Sequence, residues 1–202
     1  MAAILPQNIP VLSANAIASY DYIDLSSGLG FINYKGFTTQ DSSGIVYNLG
    51  TNTVYSATIE TAATGTQPVH NFDSSTFNLP RTAKGTAYVS AGCGTTAAGT
   101  FQPQVRLQKI AVDGTTITNI SAAVSGAALG GSGTTVAMEL IPIPLTQTTI
   151  GVGEKLRLTF LFSENGNPAG FGHDPQGRSG ARVSGASVTT ALNCYIPFRI
   201  YN

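Results

Sequence analysis

Charged side chains are scarce in this chain of 202 residues. They make up 10% of the sequence, against roughly 25% in an ordinary soluble protein. Ten basic residues balance ten acidic ones, so the formal net charge is zero. Nucleic-acid binding is therefore disfavoured, because it requires a strong positive field. Repulsion between like net charges normally keeps copies of a protein apart, and this chain has no net charge. We therefore expect a subunit that works within a protein assembly.

Long apolar segments are missing as well. The sequence has no run of about 18 apolar residues, the length that a membrane helix needs. Residues 1–16 lack the basic region and the unbroken apolar region of a signal peptide. We therefore expect neither a membrane partner nor Sec-dependent export.

Cysteine and histidine each occur twice, and tryptophan is absent. Cys93 and Cys194 are far apart in the sequence, with neither CxxC spacing nor a histidine at metal-ligand spacing. Because free cysteines are often buried, we expect two buried thiols. A disulfide between Cys93 and Cys194 is the alternative.

The prevailing pattern is a series of short segments rich in β-branched and aromatic residues, separated by glycine-rich turns. We predict strands at 17–25, 30–38, 44–49, 54–61, 75–80, 86–92, 101–112, 115–125, 134–144, 154–163 and 193–202. Alternation is clearest where one strand face carries Leu156, Leu158, Phe160 and Phe162. The pair Asp113-Gly114 lies between two alternating segments and predicts a hairpin. Residues 125–135 and 164–187 are predicted to be loops.

Many short strands without βαβ alternation indicate an all-β fold, an antiparallel two-sheet sandwich of jelly-roll type with very little helix. An immunoglobulin-like sandwich is the alternative, but the chain lacks tryptophan and exceeds the usual length of that domain. We divide the chain into an extended N-terminal arm, residues 1–14, and a single sandwich domain, residues 15–202. Prolines discourage helix in the arm. Its apolar residues are candidate interface anchors: Ile4, Leu5, Ile9, Val11 and Leu12.

The segment 167–183 contains His173 beside Asp174 and is the natural place to look for chemistry. Adjacent residues of an extended chain point in opposite directions, so these two cannot easily form a base and its orienting partner. No nucleophile motif accompanies them. A metal site would need further ligands, for example His70 or Asp73, and the spacing gives it no support. We therefore expect no catalytic residue, no metal site and no cofactor.

A locked turn explains the same residues better. Asp174 precedes Pro175, which favours extended backbone at the aspartate, and its carboxylate is placed to accept from the backbone N–H of Gln176 or Gly177. Arg178 can fold back onto that carboxylate. Arg182 is left as a candidate interface residue, because arginine is enriched at protein interfaces.

The C-terminal sequence resembles a known family. Residues 151–178, GVGEKLRLTFLFSENGNPAGFGHDPQGR, followed by the terminal YIPFRIYN, are similar to jelly-roll virion proteins of tailed bacteriophages, namely capsid decoration or cement proteins and head-fibre-type surface proteins. The resemblance implies a non-enzymatic structural protein on the capsid surface, commonly a trimer and made in the host cytoplasm. It implies the major capsid protein or other virion proteins as partners, and it makes His173, Asp174 and Arg178 a shared loop element.

Two other function classes stay open. A carbohydrate-binding or receptor-binding module of a phage fibre or tail would suit a jelly roll with aromatic residues on its surface. A small hydrolase or a metal-dependent cupin is disfavoured. A cupin needs several histidines on adjacent strands, and the chain has two, His70 and His173, both in predicted loops.

Overall fold

The computed structural model describes residues 29–52, 54–63, 69–95, 99–131, 133, 135–164, 169–176 and 191–199. Within these ranges the chain forms thirteen strands and no helix. In chain order they are β1 (Leu29–Asp41), β2 (Gly44–Gly50), β3 (Glu60–Ala63), β4 (Val69–Ser74), β5 (Arg81–Thr95), β6 (Gly99–Ile110), β7 (Ile117–Asn119), β8 (Val124–Ser125), β9 (Leu129–Gly131), β10 (Thr135–Ile150), β11 (Lys155–Glu164), β12 (Ala169–Gly172) and β13 (Leu192–Arg199). The predicted all-β class is confirmed. None of the described segments is a helix suited to crossing a membrane.

The strands form two layers. The first has the order β3-β12-β5-β13-β1-β2, with β10 also paired to β5, and the second has the order β4-β11-β6, with β7, β8 and β9 paired to β6. The strands pair antiparallel except for β2 and β4, which are parallel over Asn48↔Asp73 and Leu49↔Ser74. Through these two residue pairs, β2 of the first layer is joined to β4 of the second layer.

Aromatic side chains fill the space between the layers. Phe171 of β12 stacks on Phe160 of β11, with ring centroids 3.9 Å apart, although these two strands are not paired. The contact therefore crosses from one layer to the other, as the predicted sandwich requires. The inward face of β11 consists of Leu156, Leu158, Phe160 and Phe162, all fully buried, which confirms the alternation read from the sequence.

The predicted hairpin lies between β6 and β7. Ile110 pairs with Ile117, and Gly114 adopts a positive φ of 72°, a conformation that glycine reaches without strain. The carboxylate of Asp113 accepts hydrogen bonds from the backbone N–H groups of Thr115 and Thr116, both at 2.8 Å. Asp113-Gly114 therefore stabilises the turn in two ways: Gly114 adopts the positive φ, and the Asp113 carboxylate accepts the backbone hydrogen bonds.

Several element predictions were wrong. Residues 75–80 form no strand, whereas the preceding segment VHNFDS is β4. Asn and Asp are uncommon in strands, but here both have partners on β11. Thr159 donates to Asn71 at 2.9 Å, and Arg157 pairs with Asp73 at 2.6 Å. The predicted loop 164–187 contains β12, and the predicted loop 125–135 contains β9.

Candidate functional site

His173 follows β12 directly, and its side chain is fully buried. Its backbone N–H donates to the carbonyl of Ile59 at 3.0 Å. Its ring Nε2 lies 2.8 Å from Thr61 Oγ1, and Tyr47 Oη lies 3.1 Å from the same hydroxyl. Thr61 thus connects a tyrosine on β2 with the histidine after β12 through one hydrogen-bonded chain.

The second histidine belongs to the same cluster. His70 lies on β4, where its ring centroid is 5.0 Å from that of Tyr47, and Tyr47 is 5.9 Å from His173. Phe171 contacts both imidazoles, at 5.5 Å from His70 and 5.7 Å from His173. The expectation that both histidines lie in loops was wrong for His70, because it lies on β4, where it is partly buried.

Burial determines the electrostatics of this histidine cluster. It lowers the pKa of His70 to about 4. It likewise lowers the pKa of His173 to about 4, with a smaller contribution from the neighbouring charge of His70 when protonated. His70 Nε2 and His173 Nδ1 are buried atoms with no hydrogen-bond partner among the described residues. At neutral pH the cluster therefore holds two uncharged imidazoles packed among aromatic rings.

The residues beside His173 adopt the turn that the sequence suggests. Asp174 is fully buried, and its Oδ1 accepts a hydrogen bond from the backbone N–H of Gln176 at 3.2 Å. Pro175 and Gln176 form the turn itself. Arg178 lies outside the described residues, so its pairing with Asp174 and the locking of the whole loop stay predictions.

The structure describes the candidate metal ligands His70, Asp73 and His173 but not the candidate interface residues. In the part of the chain that the structure describes, no three His, Cys, Asp or Glu side chains are grouped to hold a metal ion. The predicted interface residues lie outside that part, and their role stays a prediction: Ile4, Leu5, Ile9, Val11, Leu12 and Arg182.

The outward face of the first layer carries several exposed apolar side chains, while the row that contains Leu140 continues through Ser90, Asn193 and Lys35. β10 presents Leu140, 63% exposed, and Met138, 42% exposed, while β5 presents Tyr88, 36% exposed. Directly paired residues form a row across four strands, and none of them is charged. The row consists of Pro142 on β10, Tyr88 on β5, Tyr195 on β13 and Asn33 on β1. We call the outward residues of β10, β5, β13 and β1 around this row the apolar face.

Sequence reasoning missed the apolar face, although a signal was present. The run MELIPIPL in β10 is apolar at nearly every position, so both faces of that strand bear apolar side chains. Such continuous runs are typical of strands buried on both sides. Here Ile141 and Ile143 point into the core, and the alternate residues point outward.

Comparisons with known proteins show similarity of fold. No protein-family model matches the sequence, and no curated protein matches it. The chain resembles a CocE/NonD family hydrolase from Staphylococcus aureus, with a TM-score of 0.56 and 9% identity, over 85% of this chain and 37% of that one. It also resembles an aminopeptidase from the marine sediment archaeon Thaumarchaeota archaeon, with a TM-score of 0.54 and 10% identity, over 82% of this chain and 36% of that one.

This chain therefore spans well under half the length of either hydrolase. Similarity at such low identity concerns the fold alone. The resemblance to phage virion proteins stays a prediction.

Proposed function

We propose that this chain is a non-enzymatic structural protein that decorates or cements the surface of a viral capsid as an oligomer, with copies of itself and capsid proteins as partners. The observation that carries the proposal is the apolar face. Its central row bears no charged side chain, and Leu140 beside it is 63% exposed. Exposed apolar side chains grouped on one face of a sheet suit an interaction site.

The composition of the apolar face fits a protein interface. Interface cores are depleted of charged residues and enriched in aromatic residues and methionine. Tyr88 and Tyr195 lie opposite each other on paired strands, and Met138 lies on the neighbouring strand. Val89 and Ile141 anchor the same strands in the core, so the face is held rigid and loses little conformational entropy on association.

A protein of this kind would act by mass action. Binding to the assembled shell, and not to its free subunits, stabilises the assembled state. If several copies share a symmetry axis, each weak contact is strengthened by the high effective concentration of the others. Stabilisation of a shell then needs no tight single contact and no chemical transformation.

Sedimentation velocity on the purified full-length protein tests the proposal. We expect a trimer for the unaltered chain and a monomer for Leu140→Glu, because the new carboxylate would be buried unpaired in the interface. Val112→Glu is the matched control, since Val112 is 71% exposed in the hairpin between β6 and β7. A trimer that persists in Leu140→Glu, or an unaltered chain that is monomeric, would count against this function.

A second candidate function is carbohydrate binding, as in a receptor-binding module of a phage fibre or tail. It is favoured by the ring pair of Phe31 and Tyr88, whose centroids are 6.2 Å apart on the apolar face. Asn33 donates from Nδ2 to Asn193 Oδ1 at 3.4 Å on the same face, so amides accompany the rings. Glycan-array binding that disappears in Tyr88→Ala would support this alternative, and an array without signal would remove it.

A further inference from the structure

A cleft lies near the starts of β1 and β5. One part, of about 200 Å³, lies between Ile32 and Tyr34 of β1 and Ser74–Phe77, the residues that end β4 and follow it. A second part, of about 370 Å³, extends past Leu79 and has the size of pockets that hold small molecules, roughly 300–1,000 Å³. Ile32 and Arg81 line both parts, which therefore adjoin. We call the two parts together the Arg81 cleft.

The strand register directs Arg81 into this cleft. Arg81 pairs with Ile150, whose side chain is fully buried in the core. Directly paired residues of antiparallel strands project to the same face, so Arg81 points to the inner side of the first layer. Burial raises the pKa of Tyr34 to about 12, and the positive charge of Arg81 opposes that rise. The guanidinium therefore acts on the phenol at the inner wall of the cleft.

The charge of Arg81 is not matched by a carboxylate. Among the described residues, no Asp or Glu forms an ion pair with Arg81, and none lines either part of the cleft. Arg199 lines only the second part, and it follows Phe198, which is buried in the core, so its side chain starts on the opposite face. An anion in the cleft is therefore assigned to Arg81.

The other walls of the cleft are largely apolar. Ile32, Leu49 and Phe77 line the first part, and Pro80 and Phe198 line the second. Leu49, Phe77 and Phe198 belong to the core, so these walls are held in place by the packing between the layers. A ligand that matches this lining carries one negative group on an apolar body.

We propose that the Arg81 cleft binds a small amphipathic carboxylate, with its carboxylate on Arg81 and its apolar body against Ile32 and Phe77. A guanidinium matches a carboxylate through two parallel hydrogen bonds, which a single arginine supplies alone. A phosphate dianion carries more charge, and the described lining of the first part offers it no second cation. Transfer of the apolar body out of water contributes the rest of the affinity.

Ligand-observed NMR titration of the full-length protein with hexanoate tests this recognition. Hexanol has the same apolar body without the charge, and acetate has the charge without the body. We expect hexanoate to bind at least about tenfold more tightly than either, the factor that one charge-assisted hydrogen bond supplies. Hexanoate that does not bind, or that binds no more tightly than hexanol or acetate, would overturn the proposal.

Two variants locate the anion contact. Arg81→Gln should weaken hexanoate binding about tenfold and leave hexanol binding unchanged, because the guanidinium acts on the carboxylate alone. Lys84→Gln is the matched control, since it removes the same charge from the same strand, and Lys84 is exposed and lines neither part of the cleft. An equal loss in both variants, or no loss in Arg81→Gln, would overturn the proposal. Circular dichroism checks that both variants fold, and the comparison of the three ligands decides without them.

The proposal is independent of the assembly role proposed above. Leu140 lies on the outward face of the first layer and does not line the cleft. Leu140→Glu should therefore bind hexanoate as the unaltered chain does, whether or not it remains a trimer, so the two proposals fail separately.

Discussion

His173 Nε2 and Thr61 Oγ1 lie 2.8 Å apart, although 112 positions separate the two residues in the sequence. The hydroxyl of Thr61 also meets Tyr47 Oη at 3.1 Å. A small polar chain therefore passes through an otherwise aromatic cluster and ties the end of β12 to β3 and β2. The residues that follow β12 are held by this long-range contact as well as by the turn at Asp174.

Acid should destabilise the fold through the two histidines. Both have folded-state pKa values of about 4, below the ordinary value of 6.5. The unfolded chain then binds more protons than the folded chain between these values, so stability is complete above about pH 6.5 and falls as the pH drops towards 4. Urea unfolding followed by circular dichroism at several pH values measures this slope, since the chain lacks tryptophan.

The variant His70→Phe keeps a ring among Tyr47, Phe162 and Phe171 but removes one titrating group. It should reduce the proton uptake on unfolding between pH 6.5 and 4 by about one proton. Asp113, whose pKa is lowered to about 2 mainly by hydrogen bonds from Thr116, contributes only below this window. Stability that does not change between pH 6.5 and 4 would contradict the buried, neutral state of the cluster.

Removing the Thr61 hydroxyl should cost stability without changing the fold. Thr61→Val preserves the shape of the side chain but leaves His173 Nε2 and Tyr47 Oη without their shared partner. Leaving buried polar atoms unsatisfied costs about 1–3 kcal/mol. Chemical denaturation should show this loss in Thr61→Val and almost none in Thr118→Val, an exposed threonine of β7. A loss of equal size in both would show that the effect does not come from the hydrogen bonds of Thr61.

The sequence was sufficient for the fold class because strand alternation is a local property. Leu156, Leu158, Phe160 and Phe162 mark one face of β11 directly, and Asp113-Gly114 carries its own turn geometry. β4 was missed because its Asn71 and Asp73 are poor strand formers that become satisfied only by partners on β11. That pairing joins residues more than eighty positions apart, which a local pattern does not reveal.

The candidate site was predicted in the same uneven way. The turn at Asp174 is local, and its hydrogen bond from Gln176 is present. The meeting of His70, Tyr47 and His173 depends on three strands from both layers, so no spacing rule could give it. The apolar face is assembled from four strands that lie far apart in the sequence, and the apolar run of β10 is its local mark.

Both cysteines should behave as unreactive free thiols. Cys93 and Cys194 are fully buried and unpaired with each other, and burial raises the pKa of both thiols far above the ordinary value. Because the thiolate is the reactive form, a thiol reagent should label neither in the native protein and both after denaturation. Mass spectrometry counts the labels, and rapid labelling of a native thiol would show that the sandwich opens around that strand.

Deleting residues 1–14 tests the arm that the sequence predicts. The core of the described part of the chain is built from residues between Tyr34 and Phe198, so we expect the truncated protein to keep its unfolding midpoint. Under the proposed function it should lose cosedimentation with capsids, since the five apolar anchors of the arm are gone, and replacing those anchors with serine should have the same effect.

If the protein lacking residues 1–14 still cosediments with capsids, the anchoring role passes from the arm to the apolar face, whose Leu140→Glu variant then becomes the decisive comparison.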